Sequence, residues 1–381
     1  MNRIVEKDNI QIRKLLHRNI SYDLLRIQAA ILVVLLHVSA IGWNVISPHK
    51  SQWMIINLYN SMTRGAVPIF FMLSGAFLLN KDIDIKDLYN KKIIPLSLVW
   101  LIWSFIYTLD TIGLNKLFTL NYIEILTSIV NSYYHLWFIP TLIGLYVLQP
   151  ILRGIVVYRD GEFLKYLLYV FLVFGVFRTT ILVFTQNSLL INLTNLIPME
   201  LMGYSCYMMI GYYFANINVN QFNPKIMLLI FVVSSFLCAL AGQIQSLHTG
   251  IACETLHSCF SITSFFEAIS LFLLFKNVDW NVSIKSKRAI YTLSELTFGV
   301  YLIHPFIINH INVILNINLL VNTILAIPLY TIIIVIVSFL VTFIMNKIPL
   351  IKIFGSFKKV IFSCIKQSIL WLYTDTIICS L

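Results

Sequence analysis

The chain has 381 residues, of which 59% are hydrophobic and only 11% charged. Soluble domains carry about 25% charged residues, so this composition excludes a water-soluble globular fold and makes lipid the solvent. The formal net charge of +11 fits attraction to anionic lipid headgroups and the topology derived below. It is not read as a nucleic-acid footprint.

Apolar stretches long enough to cross a bilayer (~20 residues) recur along the whole length. Ten spans are predicted, at 22–42, 55–79, 93–113, 137–156, 163–184, 199–216, 226–243, 262–275, 290–312 and 319–346. The expected fold class is therefore an all-α integral membrane protein of about ten transmembrane helices. A basic cytoplasmic tail (1–21) precedes the membrane domain (22–347), and a second basic, amphipathic tail (348–381) follows it. Both tails are expected on the inner membrane surface. No cleavable signal and no soluble domain are expected. With the N-terminus inside, the cytoplasmic segments collect 22 of the 27 Lys and Arg residues and the outside segments 2, which predicts both termini inside. The six cysteines have no metal-ligand spacing. Cys253 and Cys259 share an outside loop, as a disulfide or as two free thiols. The segment "NYIEILTSIVNSYYHLWF" (121–138) has helical spacing and predicts a short helix on the outer face.

Several polar residues interrupt the apolar runs. In the first span, "SYDLLRIQAAILVVLLHVSA", Asp23 and Arg26 stand three residues apart and are expected to pair. The eleven residues from Arg26 to His37 bring both onto one helix face, ~16 Å apart along the axis. A cation thus lies at the inner surface and an imidazole deep in the bilayer, where such groups are costly and mark function. The alternative for His37 is a hydrogen bond between packed helices. The second span, "SMTRGAVPIFFMLSGAFLL", adds Arg64 from the outer side and Ser74–Gly75 nearer the inner side, the latter also compatible with ordinary small-residue packing. Lys91 and Lys92 follow at a helix entry, as a phosphate site or as plain positive-inside signal. On the outer side, Tyr134, His135 and Trp137 in "YYHLWFIPTLIGLY" form an aromatic shelf for a sugar ring or an interfacial belt. Arg178, Glu200 and Glu267 lie in the outer halves of three spans and are expected to line a polar cavity. The ninth span, "LSELTFGVYLIHPFI", carries Glu295 near the cytoplasm and His304 near mid-membrane, followed by the bend-inducing Pro305.

"YDLLRIQAAILVVLLH" resembles the Asp-x-x-Arg-x10-His signature of membrane acyltransferase family 3. "RGAVPIFFMLSG", "KKIIPLSLVW", "HLWFIPTLIGLYVLQPIL" and "LSELTFGVYLIHPFI" resemble that family's later blocks, in the same order, over roughly residues 22–305. The block around Arg64 is most similar to the stand-alone surface-glycan O-acetyltransferases of the enterobacterial common antigen type. The resemblance implies a ten-helix enzyme of the cell (inner) membrane. It would move an acyl group, usually acetyl from acetyl-CoA as co-substrate, to a hydroxyl of an envelope glycan or lipid-linked sugar. It implies His37 and Arg26 as the essential pair. Lys91 and Lys92 fall where the family often has Arg, a departure that bears on donor binding.

The mechanism expected from both readings sets the CoA phosphates against Arg26, Lys91 and Lys92. The pantetheine arm runs beside Ser74–Gly75. His37 acts as general base or as a transient acyl carrier, with Asp23 orienting Arg26. Arg64 stabilises the oxyanion or grips the acceptor. His135, Trp137, Arg178, Glu200, Glu267 and His304 are assigned to the acceptor side. No metal is expected. The alternative is a transporter or flippase for a polysaccharide or lipid-linked glycan.

Overall fold

In the computed structural model, residues 18–113, 119, 121–131, 133–184, 203–315 and 322–348 are described. The described residues contain helices and no strand. They are α1 (Ile20–Ala40), α2 (Ser51–Ser61), α3 (Ala66–Leu78), α4 (Ile94–Ile112), α5 (Tyr122–Asn131), α6 (Phe138–Val147), α7 (Gln149–Val157), α8 (Glu162–Val170), α9 (Arg178–Phe184), α10 (Gly203–Asn216), α11 (Pro224–Thr249), α12 (Ile262–Asn277), α13 (Ile284–Leu315) and α14 (Thr323–Lys347). Helix occupies each of the ten predicted spans. Among the described residues, six helical stretches are long and apolar enough to cross a membrane, or seven if the α6–α7 pair, bent by 59°, is one span. At 16 residues, α12 falls short of the ~20 that a straight crossing needs.

Local chemistry explains the helix ends. Asn19, Asn223, Ser261 and Asn322 cap α1, α11, α12 and α14, each accepting a backbone N–H of the first turn. Gly250 ends α11 with φ +75°, a left-handed conformation that favours glycine. The predicted outer helix is α5. Its start is a reciprocal cap: Asn121 N–H donates to Glu124 Oε2, and Glu124 N–H donates to Asn121 Oδ1, both at 2.9 Å.

Two breaks matter for function. Between α2 and α3 the helix gives way to a turn at Met62–Gly65, and Arg64 projects from it. Ahead of α4, a π-helical turn over Tyr89–Ile93 carries Lys91 and Lys92. Elsewhere a break is repaired. Pro305 lies inside α13 and has no N–H to donate. The Tyr107 hydroxyl enters one residue on, donating to Leu302 O at 2.8 Å and accepting from Phe306 N–H at 3.3 Å.

The tightest contact in the bundle is the crossing of α3 and α10. A β-carbon on Gly75 would collide with the Met208 carbonyl, and one on Gly211 with the Met72 carbonyl. Gly75 is therefore a packing residue, not a donor-binding one, because its missing side chain lets two backbones touch. Gly75→Ala is expected to destabilise the protein by about 3 kcal/mol, at the upper end of overpacking costs. Gly144→Ala, where nothing lies within 4 Å, serves as the control in thermal unfolding of the detergent-solubilised protein.

Candidate active site

A cavity of about 840 Å³ runs through the bundle between α1, α3, α6 and α13. Its volume is that of a site for a sizeable organic ligand. Arg18, Asp23, Arg26, Lys81, Lys92 and Glu295 line it towards the start of α1, and His37, Arg64, His135, Trp137 and His257 towards the end of α1. Between these groups the wall is largely apolar, with Val33, Phe70, Leu73 and Phe77, joined by Ser74 and Tyr146.

At the first end, Asp23 does not pair with Arg26. Its carboxylate accepts two hydrogen bonds from Arg18, at 2.5 and 2.7 Å, and a third from Ser294 Oγ at 2.6 Å. Arg18 also lies over the Tyr291 ring, 4.1 Å from its centre. Asp23 thus ties α1 to α13, and both of its oxygens are engaged by Arg18 and Ser294 rather than by Arg26. Arg26 instead projects over the Phe77 ring, 5.2 Å from its centre, with no ion pair or hydrogen bond among the described residues. A guanidinium partly removed from water with no direct ion pair is a favourable place for an anion entering the cavity. Lys92 lines the cavity as well, whereas Lys91 is exposed and paired with Asp87 at 2.6 Å. The expectation for Lys91 is therefore corrected: the π turn directs the neighbouring lysines to different surroundings.

At the other end, His37 stands between two rings. His304 stacks on it and Tyr134 meets it edge-on, both with centroids 5.1 Å away. Neither nitrogen of His37 has a hydrogen-bond partner among the described residues, while its side chain faces the cavity. His304 is fully buried behind His37 and does not line the cavity. Its Nδ1 lies 3.0 Å from Val300 O, so it backs the His37 ring instead of facing the cavity. His135 approaches His304 edge-on at 5.6 Å, and its own carbonyl accepts the Tyr301 hydroxyl at 2.5 Å. Trp137 is 42% exposed and leans on Tyr204, with centroids 5.6 Å apart.

Arg64 is held by a polar network. Its Nη2 donates to Asn60 Oδ1. Asn60 Nδ2 donates in turn to Ser39 Oγ at 3.0 Å. The turn that carries Arg64 is fixed from behind. Gly65 N–H donates to Glu267 Oε2 at 2.9 Å, and Ser235 Oγ donates to Glu267 Oε1 at 3.1 Å. A β-carbon at residue 65 would come within 2.9 Å of α12, so Gly65 allows this close approach. Glu267 is fully buried and its oxygens are occupied, so it does not line the cavity as expected. It fixes the Arg64 turn instead. Arg178, at the start of α9, is also absent from the cavity wall. Glu200 lies outside the described residues.

Sequence reasoning passed over Arg18, Lys81, Tyr146, His257 and Cys259, all of which line the cavity. His257 and Cys259 stand in the connection between α11 and α12, where there is no helical periodicity to follow. Burial, and then nearby Arg64, push the His257 imidazole below its ordinary range. Cys253 and Cys259 are both free thiols, which settles the alternative left open for that loop. Among the described residues, no group of three or more His, Cys, Asp or Glu side chains could hold a metal ion.

A helical bundle with several membrane-crossing segments and an internal cavity that carries charged groups at both ends defines a multi-pass membrane protein. The chain matches the model of acyltransferase family 3, described as an acyltransferase domain, over residues 19–343. It belongs to that family. It is also 24% identical over 312 residues to an amino-acid racemase of Enterococcus faecalis, a match covering 77% of this chain and 41% of the relative. The chain thus spans less than half the length of that curated relative. No solved structure matches.

Proposed function

We propose that this acyltransferase moves acetyl from acetyl-CoA to a hydroxyl of a cell-envelope glycan or lipid-linked saccharide, as the stand-alone surface-glycan O-acetyltransferases do. The observation that carries this reading is the cavity. It joins unpartnered Arg26 at one end to His37 at the other, with an apolar, narrowly polar passage between them. Acyl-CoA has the complementary form, a polyanionic head on a long thin arm that ends in the reacting thioester.

In this reading the CoA phosphates meet Arg26 and Lys92, charge-assisted contacts of the strong kind. The pantetheine arm passes Ser74 and Tyr146. The thioester reaches His37, which serves as general base or transient acyl carrier. Arg64, aimed by Asn60 and the Glu267-held turn, stabilises the developing oxyanion or grips the acceptor. His135 and Trp137 flank the acceptor. The distribution of Lys and Arg supports both termini in the cytoplasm of a cell whose inner membrane holds the protein. The expected surface tails lie almost wholly outside the described residues, and acetyl-CoA enters from inside.

Mass spectrometry of envelope glycans from cells with and without the gene tests the reading. An acetyl ester present with the gene and absent without it is expected. An unchanged ester pattern would overturn it.

A further inference from the structure

The cavity holds a second imidazole, and its surroundings differ from those of His37. His257 is 3% exposed and lines the cavity. Its ring meets Trp43 edge-on at 5.2 Å, and Trp43 is anchored in turn by Trp53 Nε1, which donates to its carbonyl at 3.1 Å. Its Nε2 lies 3.1 Å from Ser61 Oγ, while its Nδ1 is buried with no partner.

A chain of hydrogen bonds sets the tautomer. Asn57 Nδ2 donates to the Ala239 carbonyl at 2.7 Å, so Asn57 Oδ1 is the amide atom facing Ser61, 3.3 Å from its Oγ. Ser61 has a single proton. Given to Asn57 Oδ1, it leaves Ser61 Oγ to accept from His257 Nε2–H, so Asn57 Oδ1, Ser61 Oγ and His257 Nε2 are all partnered. Given to His257 Nε2, it would strand Asn57 Oδ1 in the interior, at a cost. The first arrangement prevails and leaves the Nδ1 lone pair as the one unfilled acceptor. A base held by a second group that fixes its tautomer is the arrangement proton transfer calls for. His37 has no such group among the described residues. Arg64 lines the same cavity as both imidazoles.

We infer that His257 binds the acceptor hydroxyl through Nδ1 and takes its proton, leaving His37 to the thioester. This rests on the acetyl-transfer reading above. The hydroxyl O–H bond breaks and its proton passes to Nδ1. Before this, a His37 nitrogen bonds to the acyl carbon as the C–S bond of the thioester breaks and the CoA thiolate leaves; the hydroxyl oxygen then bonds to the acyl carbon as the bond to His37 breaks. The proton passes from His257 to the thiolate as CoA thiol, so both imidazoles end neutral.

The test uses membranes that contain the full chain, acetyl-CoA radiolabelled in the acetyl group, and the native membrane glycan as acceptor. His257→Gln is expected to lower label in the glycan about a hundredfold, the usual scale of a lost general base, with acetyl-CoA binding unchanged. His257→Asn sets an amide oxygen near the Nδ1 position and cannot take the proton, so it should lose the rate equally. Wild-type labelling should fall as pH drops and the imidazole is protonated, whereas the residual labelling of both variants should not follow that curve. Ser61→Ala, which releases the tautomer, is expected to lower labelling about tenfold while acetyl-CoA binding stays intact. Variants that label the glycan at the wild-type rate would overturn the assignment. So would variants that lose acetyl-CoA binding together with transfer, since that marks a structural role. Wild-type membranes that bind acetyl-CoA and label no glycan would count against the acceptor reading, not against His257.

Discussion

His37→Ala is expected to lower acyl transfer by about a thousandfold or more, within the range for a removed acid–base or nucleophilic imidazole, while the protein still reaches the membrane. The reason for expecting survival of the fold is local. His37 packs against Tyr134 and His304 at ring-to-ring distance but has no hydrogen bond among the described residues, so its loss leaves no buried partner stranded. His304 has its own bond to Val300 O and keeps its place. Equal amounts of variant and wild-type protein in the membrane, with glycan ester lost only in the variant, would meet the expectation. Full ester content in the variant would remove His37 from the reaction.

The second large effect falls on the donor. Arg26→Gln is expected to raise the KM for acetyl-CoA about tenfold to a hundredfold with little change in kcat. A charge-assisted contact to phosphate is worth about 1.5–3 kcal/mol, and a uniformly lost binding contact appears in KM. Asp23→Asn should behave differently. Asp23 holds Arg18 and Ser294, so its loss loosens the α1–α13 junction and lowers thermal stability before it touches donor affinity. A shared KM effect in both variants would restore the Asp23–Arg26 pair that spacing alone suggested.

Much of this arrangement was legible in the sequence. Membrane helices announce themselves by composition, and the eleven-residue step from Arg26 to His37 follows from helix geometry alone, which is why both residues open onto one cavity. What failed was partner choice. The i, i+3 rule offered Arg26 to Asp23, but helix spacing says nothing about Arg18 ahead of the helix or Ser294 on another one. Glu267 was read as a cavity group because it is charged and in the membrane. Its carboxylate in fact holds the Gly65 backbone 202 residues away in sequence, a contact no local pattern encodes. Gly75 shows the reverse. Its bland reading as a packing residue was available, and the Met208 contact bears it out. His257 sat in a loop, where neither the 3.6-residue period nor a motif could single it out.

The central claim is that one cavity carries the acyl donor from Arg26 to His37. Cryo-electron microscopy of the full chain with a non-hydrolysable acetyl-CoA analogue tests it most directly. The nucleotide phosphates are expected beside Arg26 and Lys92, the pantetheine arm passing Ser74 and Tyr146, and the acyl carbon within reach of His37. An analogue bound elsewhere, or one whose acyl end stops short of His37 and points out of the cavity, would contradict it.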